Sequence, residues 1–330
     1  MQDDNGGIGV VVSFYSYKGG VGRSFAVANI ATILAQWGFH VLCVDFDIEA
    51  PGLSHYFAPW LRSRSSGGLL QYLHDCTRDQ VGDLSAYILD TQLPGVAGRL
   101  TMIPSGRGDD DYIGNVQKID WHALSRDHDL GVRLERARAE AVSQFDFVLI
   151  DGRTGITDFA GIVTAQLPDI LAFLFTANKQ SLDGVVDVTN RAMLARNRLP
   201  FDRGALLPLP IPARFEQREE YKRAEEWKGH FLEAVAPFYD LWVSREVDFR
   251  SILELTTIPY VPYWSFGEEI AVLQEPTRSP HVISYHLETL AALLAHRLHR
   301  TDLLASSREE YVTPLGDWRS AATFRMWMFS

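Results

Sequence analysis

A chain of 330 residues with a formal net charge of −11 has room for one large α/β domain or two smaller ones, with a sizeable buried core. A composition of 46% hydrophobic and 22% charged residues is that of a soluble globular protein. The acidic balance excludes a surface that grips duplex DNA by charge alone, and the two cysteines, Cys43 and Cys76, supply neither a disulfide framework nor a paired-cysteine metal site, so a reducing cytoplasm is expected.

Residues 1–7 are polar and acidic, unlike a signal peptide. The most apolar candidate for a membrane span, 162–177, is broken by Pro168 and Asp169. An apolar run over 8–14 predicts a buried strand. It leads through Tyr17-Lys18-Gly19-Gly20-Val21-Gly22-Arg23-Ser24 into a helix over 25–37, opened by Phe25 and closed by Gly38. Strand, glycine loop and helix together make a phosphate cradle. Successive backbone N–H groups converge on the anion and the positive end of the helix dipole faces it.

A second strand over 40–45 runs into Asp45-Phe46-Asp47-Ile48-Glu49-Ala50-Pro51-Gly52. Its unbroken apolar run suits a parallel strand covered on both faces. Short helices are expected over 67–75 and 82–89, a strand over 100–103, and helices over 112–124 and 132–144. A third strong strand, 147–150, ends in Asp151-Gly152-Arg153-Thr154-Gly155. A fourth, 170–175, ends in Thr176-Ala177-Asn178, with Ser181 read as the cap of the helix that follows. A fifth, 206–209, enters a proline-rich turn that includes Pro212 and Arg214. A charged amphipathic helix over 216–236, a strand within 257–263 and an apolar helix over 282–298 complete the pattern. Residues 301–330 read as irregular. Strands alternating with helices predict a doubly wound, mostly parallel sheet with helices on both faces over 1–300, and a docking or interaction tail over 301–330. In such a sheet, ligands lie beyond the carboxyl ends of the strands. That places Asp45, Asp47 and Asp151 on the same edge as the glycine loop.

The loop departs from the usual G-x-x-x-x-G-K-[ST] pattern twice, with Tyr17 at the first glycine and Arg23 at the lysine. Lys18 to Ser24 resembles the deviant Walker A motif of the ParA/MinD family of dimeric ATPases, and in particular its KGGVGR variant. Asp45-Phe46-Asp47 resembles that family's switch I, and Asp151 to Gly155 its Walker B and switch II. The resemblance implies a P-loop fold that binds ATP or ADP with Mg²⁺ on the loop amides of residues 19–25, Val21 and Phe25 included. Lys18 would reach the nucleotide of a second subunit in an ATP-dependent homodimer. Asp47 would help position the attacking water. Ser24, Asp47 and Asp151 would serve the metal, and Gly155 would lie near the γ-phosphate. Asn178, Pro212 and Arg214 lie where the family contacts the base. The variant's associations imply a protein partner in bacterial signalling or conflict systems.

Several readings stay open at this point. Arg23 keeps a permanent positive charge on the phosphates but, being longer and forked, alters hydrolysis. The chain is then either an ATP-hydrolysing switch or a nucleotide-bound scaffold of weak activity. Asp45 is either close to the metal site or structural. Arg153 either stabilises charge or pairs at the surface. The aromatic tail around Trp318, Phe324 and Trp327 either docks on protein or, as in a membrane-associated positioning ATPase, touches a membrane. A tyrosine-kinase relative is disfavoured, because the end of the chain carries Tyr311 but no tyrosine cluster. Specific DNA binding is not expected: the segments 191–203 and 297–300 read as solvated basic faces, and His296 and His299 as part of the last helix.

Overall fold

The computed structural model describes residues 9–62, 67–106, 112–117, 121–154, 161–200, 203–216 and 220–316. Its strands are β1 (Val10–Ser16), β2 (His40–Asp45), β3 (Leu89–Asp90), β4 (Arg99–Ile103), β5 (Phe147–Thr154), β6 (Ile170–Phe175), β7 (Leu207–Phe215) and β8 (Ile258–Pro259). Its helices are α1 (Arg23–Gln36), α2 (Leu53–Phe57), α3 (Gly68–Thr77), α4 (Tyr112–Gln117), α5 (Trp121–Asp127), α6 (Leu130–Gln144), α7 (Lys179–Arg196), α8 (Tyr221–Tyr239), α9 (Phe249–Thr256), α10 (Ile283–Ala295), α11 (Thr301–Ser306) and α12 (Arg308–Gly316).

The eight strands form one sheet in the order β3-β4-β2-β5-β1-β6-β7-β8, parallel except for β3. β1 and β6 are buried at every position, as apolar strands covered on both faces must be. The alternating residues of β1, β2 and β5 feed two cores. Val12, Phe14, Val41, Cys43 and Leu149 face a large cluster with α1 and α10. Val11, Leu42, Val44, Val148 and Ile150 face a smaller one with α3 and α6. α1 is apolar on all sides because it is wedged between the sheet and α10. Its one buried amide is satisfied: Asn29 donates to the Phe25 carbonyl (2.8 Å) and accepts from the Val272 N–H (3.1 Å).

The structure corrects several sequence expectations. The proline-rich segment is not a turn but most of β7. The Leu207 N–H donates to the Asp169 carbonyl on the β6 side. Alternation therefore aims the missing N–H groups of Pro208, Pro210 and Pro212 away from β6, where β8 pairs only from Ala213 onward. The single helix expected over 112–124 is α4 and α5. Residues 82–89 are a short 3₁₀ turn, Leu84–Tyr87, leading into β3. The strand within 257–263 is only two residues long. The cap of α7 is Asn178, whose side chain accepts from the Ser181 N–H (3.2 Å), rather than Ser181.

The segment read as an irregular tail carries α11 and α12. Tyr311 is fully buried and donates to the His299 carbonyl (2.9 Å), while Arg308 pairs with Glu288 (2.8 Å). The last apolar helix ends at Ala295, and Arg297, Leu298 and Arg300 turn the chain in left-handed conformations. His296 is therefore not on a helical basic face. Its Nε2 donates to the Tyr311 carbonyl (3.0 Å), and burial lowers its pKa. Within 191–203, Arg191 and Arg198 are solvated as expected, but Arg196 and Arg203, with Arg138, surround Asp169. The tail residues Trp318, Phe324 and Trp327 lie outside the described residues.

Candidate nucleotide site

The carboxyl ends of β1, β2 and β5 adjoin in the sheet, so the three segments that follow them meet. After β1 the chain enters the glycine loop. Gly20 (φ 74°) and Gly22 (φ 89°) sit in the left-handed region, which L side chains rarely enter. A Cβ at Gly19, Gly20 or Gly22 would meet nothing within 4 Å. Conformation, not crowding, therefore demands glycine at 20 and 22. α1 begins without a side-chain cap, which leaves its first amides facing the cleft. Val21 and Phe25 are buried and anchor the loop from below.

The two departures from the usual motif have structural partners. The Tyr17 ring lies against Gly184 of α7, where any Cβ would come within 2.3 Å of it. Gly184 therefore makes room for a tyrosine at the loop's first position. Arg23 turns inward. Its Nε donates to Asp151 Oδ1 (2.5 Å), one terminal nitrogen to Asp47 Oδ2 (2.8 Å) and the other to Ser16 Oγ (3.2 Å). Burial works against the guanidinium charge, but the pull of Asp151 and Asp47 outweighs it and holds the pKa above its ordinary value. Asp47 shows the opposite balance. Burial raises its pKa and Arg23 only partly offsets this.

Asp45 is fully buried, and its oxygens accept from the Asp47 and Leu53 N–H groups (3.3 and 3.2 Å). Burial, then the charges of Asp151 and Asp47, push its pKa well up, which favours the neutral acid. Its observed contacts pin the loop that carries Asp47. Gly52 closes that loop against Ser24, and a Cβ there would lie 3.3 Å from the Ser24 hydroxyl oxygen. Arg153 pairs with Glu49, so the β2 and β5 segments are also tied at the surface. Gly155 lies outside the described residues.

The resulting cleft has a volume of about 450 Å³. Its floor is the loop with Ser24, Phe25 and Asp47; its walls include Tyr56, Tyr260, Trp264, Glu268 and Arg214. A bulge in β7 at Arg214 (φ 51°) re-aims that side chain. Arg214 donates to the Gly20 carbonyl (3.0 Å) and to Ser265 Oγ (3.4 Å), with its guanidinium 5.0 Å from the Tyr260 ring centre. Asn178 and Pro212 are not among the residues lining the cleft. Asn178 caps α7 and accepts from Lys18 Nζ (3.4 Å), and Pro212 is buried beside Phe175.

The aromatic wall is what sequence reading missed. Phe25 meets Tyr56 edge-on at 6.3 Å and Trp264 at 6.5 Å between ring centres. Burial, then Glu268, push the Tyr56 hydroxyl up to about 12. The signal was present in Tyr260-Val261-Pro262-Tyr263-Trp264-Ser265-Phe266-Gly267, an aromatic-rich stretch punctuated by proline and glycine.

A family model described as the CobQ/CobB/MinD/ParA nucleotide-binding domain matches residues 12–255. The chain belongs to the CobQ/CobB/MinD/ParA family. Solved structures share its fold. The septum site-determining protein MinD of Pyrococcus horikoshii, complexed with Mg-ADP, is 19% identical over 89% of this chain and 100% of that one, with a TM-score of 0.56. A putative plasmid partition protein of Borrelia burgdorferi bound to AMPPNP is 17% identical over 88% of this chain and 99% of that one, with a TM-score of 0.56. A single-residue variant of McdA from Cyanothece, in complex with ATP, is 18% identical over 71% of this chain and 82% of that one, with a TM-score of 0.54. A putative replication protein A of Sinorhizobium fredii is 30% identical over 145 residues, 43% of this chain. The match spans 33% of that relative's length.

The residues of this family member fit a metal-bound polyphosphate. Ser24, Asp47 and Asp151 offer hard oxygen donors, the kind magnesium takes. Asp151 Oδ2 is buried without a hydrogen-bond partner among the described residues, and a buried lone carboxylate oxygen calls for one. Among the described residues no group of three or more His, Cys, Asp and Glu side chains could hold a metal on its own. No helix among them is long and apolar enough to cross a membrane.

Proposed function

We propose that this chain is an ATP-dependent molecular switch that binds ATP at the carboxyl edge of its sheet and hydrolyses it slowly. The observation that carries this reading is the meeting of an open left-handed glycine loop with Asp47 and Asp151, both drawn onto the residue that follows the loop, Arg23. The loop amides and the start of α1 would bind the phosphates. The aromatic wall and Arg214 would enclose the base and sugar. Ser24, Asp47 and Asp151 would hold magnesium, which when bound neutralises charge on the phosphate oxygens. Asp47 would orient the attacking water. Lys18, whose ammonium reaches Asn178 through a long 3.4 Å hydrogen bond, would leave its own loop and complete the site of a second copy. Closure and reopening of that dimer would then control an unidentified protein partner.

Light scattering with ADP, ATP and a non-hydrolysable analogue, coupled to phosphate release, tests this. Wild type should dimerise with ATP, Lys18→Ala should remain monomeric, and Asp47→Ala should dimerise without releasing phosphate. A wild type that stays monomeric with ATP and with the analogue would sink the two-subunit site.

One observation favours a second reading, a nucleotide-bound scaffold. The cation that should serve the phosphates is engaged by Asp47, Asp151 and Ser16. Tight ATP retention with no phosphate release over hours of single turnover would select it.

A further inference from the structure

Arg23 does more than replace a lysine. Its three nitrogens reach three separate side chains: Asp151, Asp47 and Ser16. A lysine is a single point and could not span both carboxylates in this fashion, whereas a planar guanidinium can. The guanidinium lies on Asp47 Oδ2 and Asp151 Oδ1, one oxygen of each carboxylate that the nucleotide reading assigns to the metal, and it is 7% exposed. It also lines the same cleft as the glycine loop and adjoins Ser24.

We propose that Arg23 is a latch on the metal site: it holds Asp47 and Asp151 until a polyphosphate draws its guanidinium away, so that a divalent cation enters only together with nucleotide. This rests on the nucleotide reading given above. A cation arriving alone must shed water and displace a buried guanidinium from both of its carboxylate partners, and each step is costly. A polyphosphate changes the balance by offering the guanidinium new oxygens and the cation additional ligands. The donor set is consistent with this, since Asp47, Asp151 and Ser24 leave most of a divalent cation's coordination to water or phosphate.

Two ties that do not involve Arg23 keep the carboxylate segments together while the latch opens. The Phe46 N–H donates to the Asp151 carbonyl (2.9 Å), and Glu49 pairs with Arg153. Opening therefore needs one side chain to move rather than two loops to separate. The latch makes metal and nucleotide affinities mutually dependent, and by linkage the dependence is equal in both directions.

The test uses the full chain and Mn²⁺, followed by its electron paramagnetic resonance signal. Without nucleotide, wild type should bind no Mn²⁺ at millimolar concentration. Arg23→Gln should bind it at least about tenfold more tightly, and Arg23→Lys should fall between. Fluorescent mant-ADP should bind wild type more tightly when Mn²⁺ is present, and that enhancement should shrink in Arg23→Gln. Equal Mn²⁺ affinity in wild type and Arg23→Gln without nucleotide, or equal enhancement in both, overturns the latch. If mant-ADP binds none of the proteins under any condition, the nucleotide reading fails, while the metal-only comparison still decides the latch. Circular dichroism checks folding; should Arg23→Gln not fold, Arg23→Lys carries the metal-only comparison.

Discussion

The two ends of the glycine loop each carry a cation, and the two behave differently. Lys18, at the start, is half-buried and rests on Asn178 through a 3.4 Å contact. Arg23, at the end, is buried and bridges two carboxylates through 2.5 and 2.8 Å contacts. The difference follows from position. The loop start rides on the surface with Tyr17 beneath it, whereas the loop end is the first residue of a helix that is apolar on all sides. A cation on such a helix has to find buried anions or cost the fold several kcal/mol. One cation is thus lightly held at the surface and the other is fixed between two buried carboxylates.

Replacing Arg23 should have the largest effect. Arg23→Ala leaves Asp47 and Asp151 buried without a cation and should cost about 3 kcal/mol at neutral pH. The loss should shrink in acid, where Asp47, whose pKa burial raises, can protonate. Urea denaturation at pH 7 and pH 5 checks both statements, and equal losses at the two pH values would break the charge argument.

Arg214 holds the Gly20 carbonyl and Ser265 together across the cleft. Arg214→Ala should weaken mant-ATP binding by about tenfold, the worth of one hydrogen bond to a charged group. An unchanged affinity would make the bulge in β7 a feature of the strand alone.

The third prediction sharpens how far one guanidinium can serve three carboxylates. Asp45 has its pKa raised by burial and by Asp151 and Asp47. A raised carboxyl pKa contributes stability that is fully present below its unfolded value, about pH 4, and is lost as pH rises through the folded value. The melting temperature of wild type minus that of Asp45→Asn should therefore be greatest near pH 4 and fall as pH rises. A difference that grows with pH would mean that Asp45 is a stabilised carboxylate.

The smallest effect on stability belongs to Lys18. Lys18→Ala should change unfolding free energy by less than about 0.5 kcal/mol, since it removes one long contact at a half-buried position. A loss comparable to that of Arg23→Ala would erase the distinction between the two cations.

Most of the fold was legible because its signals are local. The apolar runs of β1, β2, β5 and β6 read as buried parallel strands, and the glycines at 20 and 22 marked the loop between β1 and α1. The errors came where local signals mislead. Three alternate prolines read as a turn, yet on β7 they point toward a side that is unpaired along most of their length. Arginines at 196 and 203 read as surface charge, yet Asp169 draws them inward. Ser181 and Asn178 both suit a helix cap, and only the backbone path chose Asn178. The aromatic wall brings Tyr56 and Trp264, from segments far apart in the chain, onto the same Phe25 ring, a meeting that no short stretch encodes.

The sequence by itself determined the strand–glycine loop–helix unit, the parallel sheet around it and the two aspartates on its edge, because each depends on hydrophobic period and backbone freedom within a few residues. Only the tertiary structure decided what Arg23 does. A guanidinium on a buried helix turns toward whichever anions the neighbouring strands bring within reach, and here adjacent β2 and β5 bring Asp47 and Asp151.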